Sequence, residues 1–140
     1  MPSDWFADTS GYIALWDRRN PTLQSAVRSI FNQARQRRTL FITTSYIIDE
    51  LVAWMIGRIP YQQIVHLIDD LRQSLWTKII FVNESLEQRG WQLFKSRPDK
   101  FWSLTDCISF IVMGDLGLSE AFTIDHHFRQ AGFIPLLPTG

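Results

Sequence analysis

Residues 5–12 read Trp-Phe-Ala-Asp-Thr-Ser-Gly-Tyr, so that an apolar run gives way to polar side chains at Asp8. A short apolar run bounded by polar residues predicts a buried β-strand. In an open α/β sheet, ligands bind beyond the carboxyl ends of the strands. The stretch therefore predicts a strand whose end carries a candidate site, with Asp8 as its first residue.

Strand-like and helix-like segments alternate along the rest of the chain. Further apolar strands are predicted at residues 40–43, 78–82, 121–124 and 133–137, and helical stretches, among them residues 84–96, separate them. Strands separated by helices are typical of βαβ units, whose right-handed crossovers place helices on both faces of a parallel sheet. We therefore expect an α/β fold with a central, mostly parallel sheet.

Length and composition bound the class of protein. The chain has 140 residues, of which 46% are hydrophobic and 14% aromatic, which predicts one globular domain over residues 1–140. Lys plus Arg and Asp plus Glu number 14 each, which argues against binding nucleic acid by bulk charge alone. The lone Cys107 fits a reducing compartment. Without a signal-peptide pattern or a bilayer-length apolar run, we expect a cytoplasmic protein with no membrane partner.

Carboxylates recur at corresponding places in this pattern. Asp8 and Asp125 each follow an apolar strand, so in a parallel sheet both emerge at the same edge. Asp106 closes the capping-box pattern that begins at Ser103, which places it in the first turn of a helix. Glu50 lies in the helix after the second strand. We expect these side chains to converge.

Clustered carboxylates repel one another unless a cation neutralises them, and oxygen-only clusters are what Mg²⁺ or Mn²⁺ prefer. Such an ion would support hydrolysis of a phosphodiester bond. The hydroxyls of Thr9 and Ser10 are placed to orient water, a ligand or Asp8 itself. Each carboxylate alone also has an ordinary interpretation, as a turn former, a helix cap or an exposed helix residue.

Four stretches carry a family resemblance. They are F-A-D-T-S-G-Y-I-A-L at residues 6–15, T-T-S-Y-I-I-D-E-L at 43–51, P-D-K-F-W-S-L-T-D-C-I-S-F at 98–110 and A-F-T-I-D-H-H-F-R-Q-A-G-F at 121–133. These stretches occur in the same order as in a known family and span nearly the whole chain. Through them the sequence resembles PIN-domain ribonucleases, in particular the VapC-type toxins of bacterial toxin–antitoxin pairs. The resemblance implies a PIN-like three-layer α/β/α domain.

The resemblance also implies a site and partners. Asp8, Glu50, Asp106 and Asp125 match the acidic positions of the family, with Asp8 and Asp106 as direct Mg²⁺ or Mn²⁺ ligands. Glu50 and Asp125 would complete the cluster or act through water. The implied activity is metal-dependent endoribonuclease cleavage of RNA by the toxin of a type II pair. The implied partners are RNA, a small antitoxin protein and a second copy of the chain.

Residues next to the last acidic position allow two interpretations. Arg129 either faces a substrate phosphate or is a solvated helix residue. His126 and His127 invite a metal or general-base role, but adjacent side chains are expected to point apart, and no Cys or His lies at zinc-ligand spacing. We therefore expect surface or capping roles for both histidines.

Aromatic residues are interpreted mainly as core. Trp102 is the exception, because it lies in the loop beside the proposed site and could stack on a base. Tyr46, Trp54 and Met55 are expected to leave an exposed apolar patch, as a homodimer seam or an antitoxin-binding groove.

Three other functions fit parts of the pattern. A housekeeping RNA-processing nuclease would use the same site without a toxin role. A non-catalytic PIN-like binding module would keep the acidic cluster as a vestige. A phosphotransfer domain also places aspartates at strand ends, but Asp8-Thr9-Ser10 lacks the second aspartate of a D-x-D nucleophile motif.

Overall fold

A parallel five-stranded sheet forms the centre of the protein. The structure is a computed structural model and describes residues 4–17 and 19–139. The strands lie in the order β3-β2-β1-β4-β5. Their bounds are β1 Trp5–Ala7, β2 Phe41–Thr44, β3 Thr77–Ile80, β4 Glu120–Phe122 and β5 Ile134–Pro135.

Helices cover both faces of this sheet. Right-handed crossovers from β1 through β2 to β3 place four helices on one face, α1 Thr9–Ala14, α2 Pro21–Arg37, α3 Ser45–Met55 and α4 Tyr61–Gln73. The chain then crosses back past β1 to β4, which places the others on the opposite face, α5 Glu84–Ser96, α6 Leu104–Leu116 and α7 His127–Gln130. The predicted fold class, a mostly parallel sheet between two helical layers, is confirmed.

Local sequence determines where these helices begin and end. Asn20 caps α2 by accepting a hydrogen bond from the backbone N–H of Leu23, and Pro21 occupies the first turn, where its missing N–H costs nothing. Thr44 caps α3 in the same way. The buried stripe of α2 faces the sheet and consists of Leu23, Val27, Ile30 and Ala34.

β1 is the central strand of the sheet and lies in the core, between β2 and β4. Trp5, Phe6 and Ala7 are all buried, and aromatic rings of β2 and β4 pack edge-on against each other where Phe41 meets Phe122. β1 therefore carries the chain through the middle of the core directly to Asp8. The strand order reverses direction between β1 and β4, and such a switch point is where α/β sheets open a binding crevice.

Two glycines allow close approaches that position the crevice. A Cβ atom on Gly11 would lie 2.2 Å from the carbonyl oxygen of Phe122, so only glycine lets α1 pass the end of β4. A Cβ atom on Gly90 would lie 2.5 Å from a side-chain carbon of Ile108, so glycine also sets the spacing between α5 and α6.

Across the described ranges, no helix is both long enough and apolar enough to span a bilayer.

Candidate metal centre

Asp8, Glu50, Asp106 and Asp125 lie near enough to one another at the switch point for the charge of one to act on the next. Asp8 follows β1, Asp106 is in the first turn of α6, and Glu50 projects from α3. Asp125 lies three residues beyond the end of β4, which finishes earlier than the sequence predicts. The charges of Asp106 and Asp125 raise the pKa of Asp8, and the charge of Asp106 raises the pKa of Glu50.

Asp8 is the most deeply buried of these groups, with 4% of its surface exposed. Its Oδ2 accepts hydrogen bonds from the Ser10 backbone N–H at 3.3 Å, the Ser10 hydroxyl at 2.7 Å and the Thr123 hydroxyl at 2.9 Å. Burial raises the pKa of Asp8 from 3.8 to about 7, although the two hydroxyls lower it. All these bonds end on Oδ2, which leaves Oδ1 for a cation.

Two hydroxyls tie Asp8 to the segment that carries Asp125. The Ser10 and Thr123 oxygens lie 2.9 Å apart, and Ser10 also accepts a hydrogen bond from the backbone N–H of Ile124. Thr123 accepts one from the backbone N–H of Asp125 at 2.9 Å. Ser10 was predicted to orient Asp8, but sequence reasoning missed Thr123, whose signal is a hydroxyl directly after an apolar strand.

Asp106 is fixed by the capping box that its spacing predicts. Its Oδ2 accepts the Ser103 backbone N–H at 3.1 Å, while its own N–H donates to the Ser103 hydroxyl at 3.0 Å. Burial raises the pKa of Asp106, and the charge of Asp125 raises it further. The structural cap and the candidate ligand are therefore the same side chain, with Oδ2 used for the cap.

Glu50 is held by the first residue of α1. The Thr9 hydroxyl donates a hydrogen bond of 2.6 Å to Glu50 Oε1, and burial raises the pKa of this half-buried carboxyl group. This contact places Thr9 inside the cluster, where the sequence predicted a hydroxyl that orients a ligand.

His127 joins the cluster, and the expectation that the adjacent histidines point apart is wrong. Their ring centroids lie 4.6 Å from each other. His127 Nδ1 is 3.1 Å from Asp106 Oδ2 and 3.4 Å from Asp125 Oδ1. The cause is that His126 has helical backbone angles at the start of α7, so neighbouring side chains are separated by about 100° and not by the 180° of a strand. Ligand atoms of Asp125, His126 and His127 lie within 4.8 Å of one another.

Two other expectations about this region have different outcomes. Arg129 is exposed on α7 and makes no hydrogen bond or ion pair to the carboxylates within the described residues, so its role stays a prediction. Trp102 is not available for base stacking. It is 6% exposed, packs edge-on against Phe110 and donates its indole N–H to Gln130 at 3.1 Å.

The expected exposed patch takes another form. Met55 is fully buried, and Trp54 is half-buried against Trp16. In its place, an apolar cavity of about 590 Å³ opens between the helices of the first face. Its lining includes Tyr12, Leu51, Met55, Leu67, Ile68 and Leu71.

The chemistry of the donor set fits a hard divalent cation. The described residues place no lysine or arginine in an ion pair with any of the four carboxylates. Apart from His127 beside Asp106 and Asp125, protons or a bound ion must therefore compensate their charge. Four carboxylates suit Mg²⁺ or Mn²⁺, the ions that prefer oxygen ligands.

The structure is that of an α/β protein with an acidic site at the switch point of a parallel sheet. Proteins similar to it were found by sequence and by structure. No model of a known protein family matches the chain. The 23S rRNA-specific endonuclease VapC20, found in two strains of Mycobacterium tuberculosis, is 29% identical over 68 residues. That match covers 49% of this chain and 52% of VapC20, so it spans about half the length of these curated relatives.

A solved structure extends the likeness to nearly the whole fold. The crystal structure of Mycobacterium tuberculosis VapC20, described as a toxin that cleaves the sarcin–ricin loop, superposes with a TM-score of 0.83 and 21% identity. The superposition covers 96% of this chain and 100% of that one. The fold is therefore that of the VapC20 structure. The sequence match to VapC20 is in line with the resemblance to VapC-type PIN-domain toxins.

Proposed function

We propose that this chain is a Mg²⁺- or Mn²⁺-dependent endoribonuclease that hydrolyses RNA phosphodiester bonds as the toxin of a type II toxin–antitoxin pair. The observation that carries the proposal is the group formed by Asp8, Glu50, Asp106 and Asp125, with which no lysine or arginine of the described residues forms an ion pair. The similarity to VapC20, a ribosomal RNA endonuclease, supports it.

Each carboxylate has a distinct part in this proposal. Asp8 and Asp106 would bind the ion directly, because each uses Oδ2 for hydrogen bonds and keeps Oδ1 available. Glu50 and Asp125 would complete the ligand set or act through water. When bound, a divalent ion neutralises the carboxylates, polarises a phosphoryl oxygen and favours ionisation of a water molecule.

The protein's own contribution is to hold these oxygens in place before substrate arrives. Ser10 and Thr123 fix the plane of the Asp8 carboxylate, and Thr9 fixes Glu50. Ser103 and His127 fix Asp106. Groups that need no rearrangement at the moment of reaction give the largest electrostatic stabilisation of a developing charge.

The proposed partners follow from the same interpretation. VapC20 acts on 23S rRNA, and by analogy we propose a structured RNA containing an unpaired loop as the substrate here. The apolar cavity of about 590 Å³ is the surface that we propose for an apolar antitoxin segment. We also propose a homodimer and a cytoplasmic location, where such an RNA would be found.

Cleavage assays test the activity directly. Purified protein should cut RNA with Mg²⁺ or Mn²⁺ and stop when a chelator is added. Asp8→Asn and Asp106→Asn should each abolish cleavage while retaining the circular dichroism spectrum of the parent. Full activity in either variant, with contaminating nuclease excluded, would contradict the proposal.

Binding and growth measurements separate the alternatives. Calorimetry that finds no divalent-ion binding would favour a non-catalytic binding module. Strong expression should arrest growth, and coexpression of a small partner should restore it. Normal growth despite active protein would favour a housekeeping nuclease.

A further inference from the structure

Phe101 is the most exposed large apolar side chain of the described residues, with 91% of its surface accessible. Single exposed apolar side chains are common and need no explanation by themselves. Phe101 differs because its neighbours on either side in the chain are held in place. Trp102 turns into the core, whereas Phe101 and Ser103 face solvent.

The loop that presents Phe101 is fixed by several contacts. The backbone N–H of Lys100 donates to the carbonyl of Arg97 at 3.1 Å, which closes a turn. The Arg97 guanidinium donates to both carboxylate oxygens of Asp99, at 3.0 and 2.9 Å, and lies over the ring of Trp102 at 5.2 Å. Trp102 in turn is anchored to α7 through Gln130. The loop therefore presents Phe101 in a defined position.

That position is beside the candidate metal centre. The backbone N–H of Ser103 lies 3.1 Å from Asp106 Oδ2. Phe101 precedes Ser103 by two residues, which limits the separation of their Cα atoms to about 7 Å. A nucleotide adjoining a phosphate at the carboxylates would lie within reach of the Phe101 ring.

The charge around Phe101 suits a nucleic-acid backbone. Lys100 precedes it directly and supplies a positive charge on the same loop. Proteins that bind single-stranded nucleic acid combine positive charge for the backbone with aromatic rings for the bases, since every base has a face that stacks. A role in binding another protein would explain why Phe101 is exposed, but it would not explain why Phe101 lies beside the carboxylates.

We propose that Phe101 stacks on an unpaired base next to the phosphodiester bond that is cleaved, and so selects loops over paired RNA. This inference rests on the proposed nuclease function and adds a specificity-determining residue to it. Paired bases are stacked within their helix and cannot offer a free face to the ring.

The test uses RNA binding in a variant that does not cleave. In an Asp8→Asn background, the probe is a stem–loop RNA with 2-aminopurine at one loop position, moved along the loop from molecule to molecule. Binding should quench the fluorescence at one position. Adding Phe101→Ala should remove that quenching and weaken loop binding roughly 5- to 150-fold.

Matched variants identify stacking as the cause. Phe101→Trp should retain quenching, whereas Phe101→Leu should behave like Phe101→Ala because it is apolar without an aromatic face. Leu75→Ala removes a side chain of similar exposure, 88%, from the amino end of β3 at the opposite edge of the sheet, and should change nothing. Thermal unfolding would check that every variant is folded.

The results would show separately whether the stacking role of Phe101 fails and whether the proposed nuclease function fails. If wild-type protein cleaves RNA but Phe101→Ala binds the loop as tightly as its parent, the stacking role is overturned and the nuclease stands. Altered self-association on sedimentation, with unchanged RNA binding, would also overturn it in favour of a protein contact. If no RNA is bound or cleaved by any variant, the proposed function itself fails.

Discussion

His127 Nδ1 lies 3.1 Å from Asp106 Oδ2 and so connects the start of α7 to the first turn of α6. The same imidazole is 3.4 Å from Asp125 Oδ1. One side chain therefore joins two carboxylates that come from different elements. Groups that hold a metal ligand in place affect ion binding almost as strongly as the ligands themselves.

We expect His127→Ala to weaken Mn²⁺ binding by about 10- to 100-fold, because Asp106 and Asp125 lose their shared partner. Isothermal titration calorimetry of the purified protein measures this directly. His66→Ala, at an exposed position on α4, is the control and should bind Mn²⁺ as the wild type does. Equal affinity in His127→Ala would mean that the contact has no part in the centre.

The buried carboxyl of Asp8 makes the metal-free protein sensitive to pH. Its pKa is raised from 3.8 to about 7, so between these values the folded state binds more protons than the unfolded state. Stability must then fall as the pH rises through that window. Asp8→Asn removes the effect, and its advantage should grow from near zero at pH 4 to at most about 4 kcal/mol at pH 8.

Urea unfolding in the presence of a chelator, repeated across this pH range, tests that expectation. Asp69→Asn, an exposed position on α4, is the control for a change of charge alone. A stability difference between Asp8→Asn and wild type that is independent of pH would contradict the assignment of a raised pKa.

Two buried threonines should respond in opposite ways to the same substitution. Thr123→Val removes the hydroxyl that binds Asp8 and accepts the Asp125 backbone N–H, so we expect a loss of about 1–3 kcal/mol in unfolding free energy. Thr39 has a buried hydroxyl oxygen without a hydrogen-bond partner among the described residues. Thr39→Val should therefore be neutral or stabilising by about 1–2 kcal/mol.

Chemical denaturation of both variants measures the contrast, and only Thr123→Val should also reduce divalent-ion affinity. Similar losses of stability in the two proteins would show that the Thr123 contacts contribute nothing beyond the burial of a hydroxyl.

Gly11 should tolerate no side chain, because an added Cβ would lie 2.2 Å from the Phe122 carbonyl oxygen. We expect Gly11→Ala to lower the thermal midpoint strongly and to weaken ion binding by displacing α1. Gly114→Ala is the matched control, since its Cβ would meet nothing within 4 Å. Within α6 it should raise stability by about 0.5–1 kcal/mol. Equal midpoints for the two variants would contradict this packing.

Local patterns were enough to predict much of the framework. The apolar run before Asp8 predicts β1, and the helix predicted over residues 84–96 has the same bounds as α5. The capping box of Ser103 and Asp106 was also correct, because caps depend on contacts within a single turn.

The remainder depends on long-range packing, which no local pattern encodes. β4 ends at Phe122, and the Thr123 side chain that follows it donates to Asp8, which comes directly after β1. The chain then turns at His126 into α7, and His127 lies beside Asp106 and Asp125. In the loop before α6, two aromatic residues are adjacent in the sequence. Trp102 is buried in the core and Phe101 is exposed to solvent, and their spacing alone does not predict which is which.

The hydroxyls of Ser10 and Thr123 are in contact although 113 positions separate them in the chain. A ribosome synthesising this protein would release the segment bearing Asp8 long before the one bearing Thr123 and Asp125. Until the later segment docks, the emerging polypeptide has no assembled centre. The proposed nuclease could therefore not attack nearby RNA while most of its own sequence is still being translated.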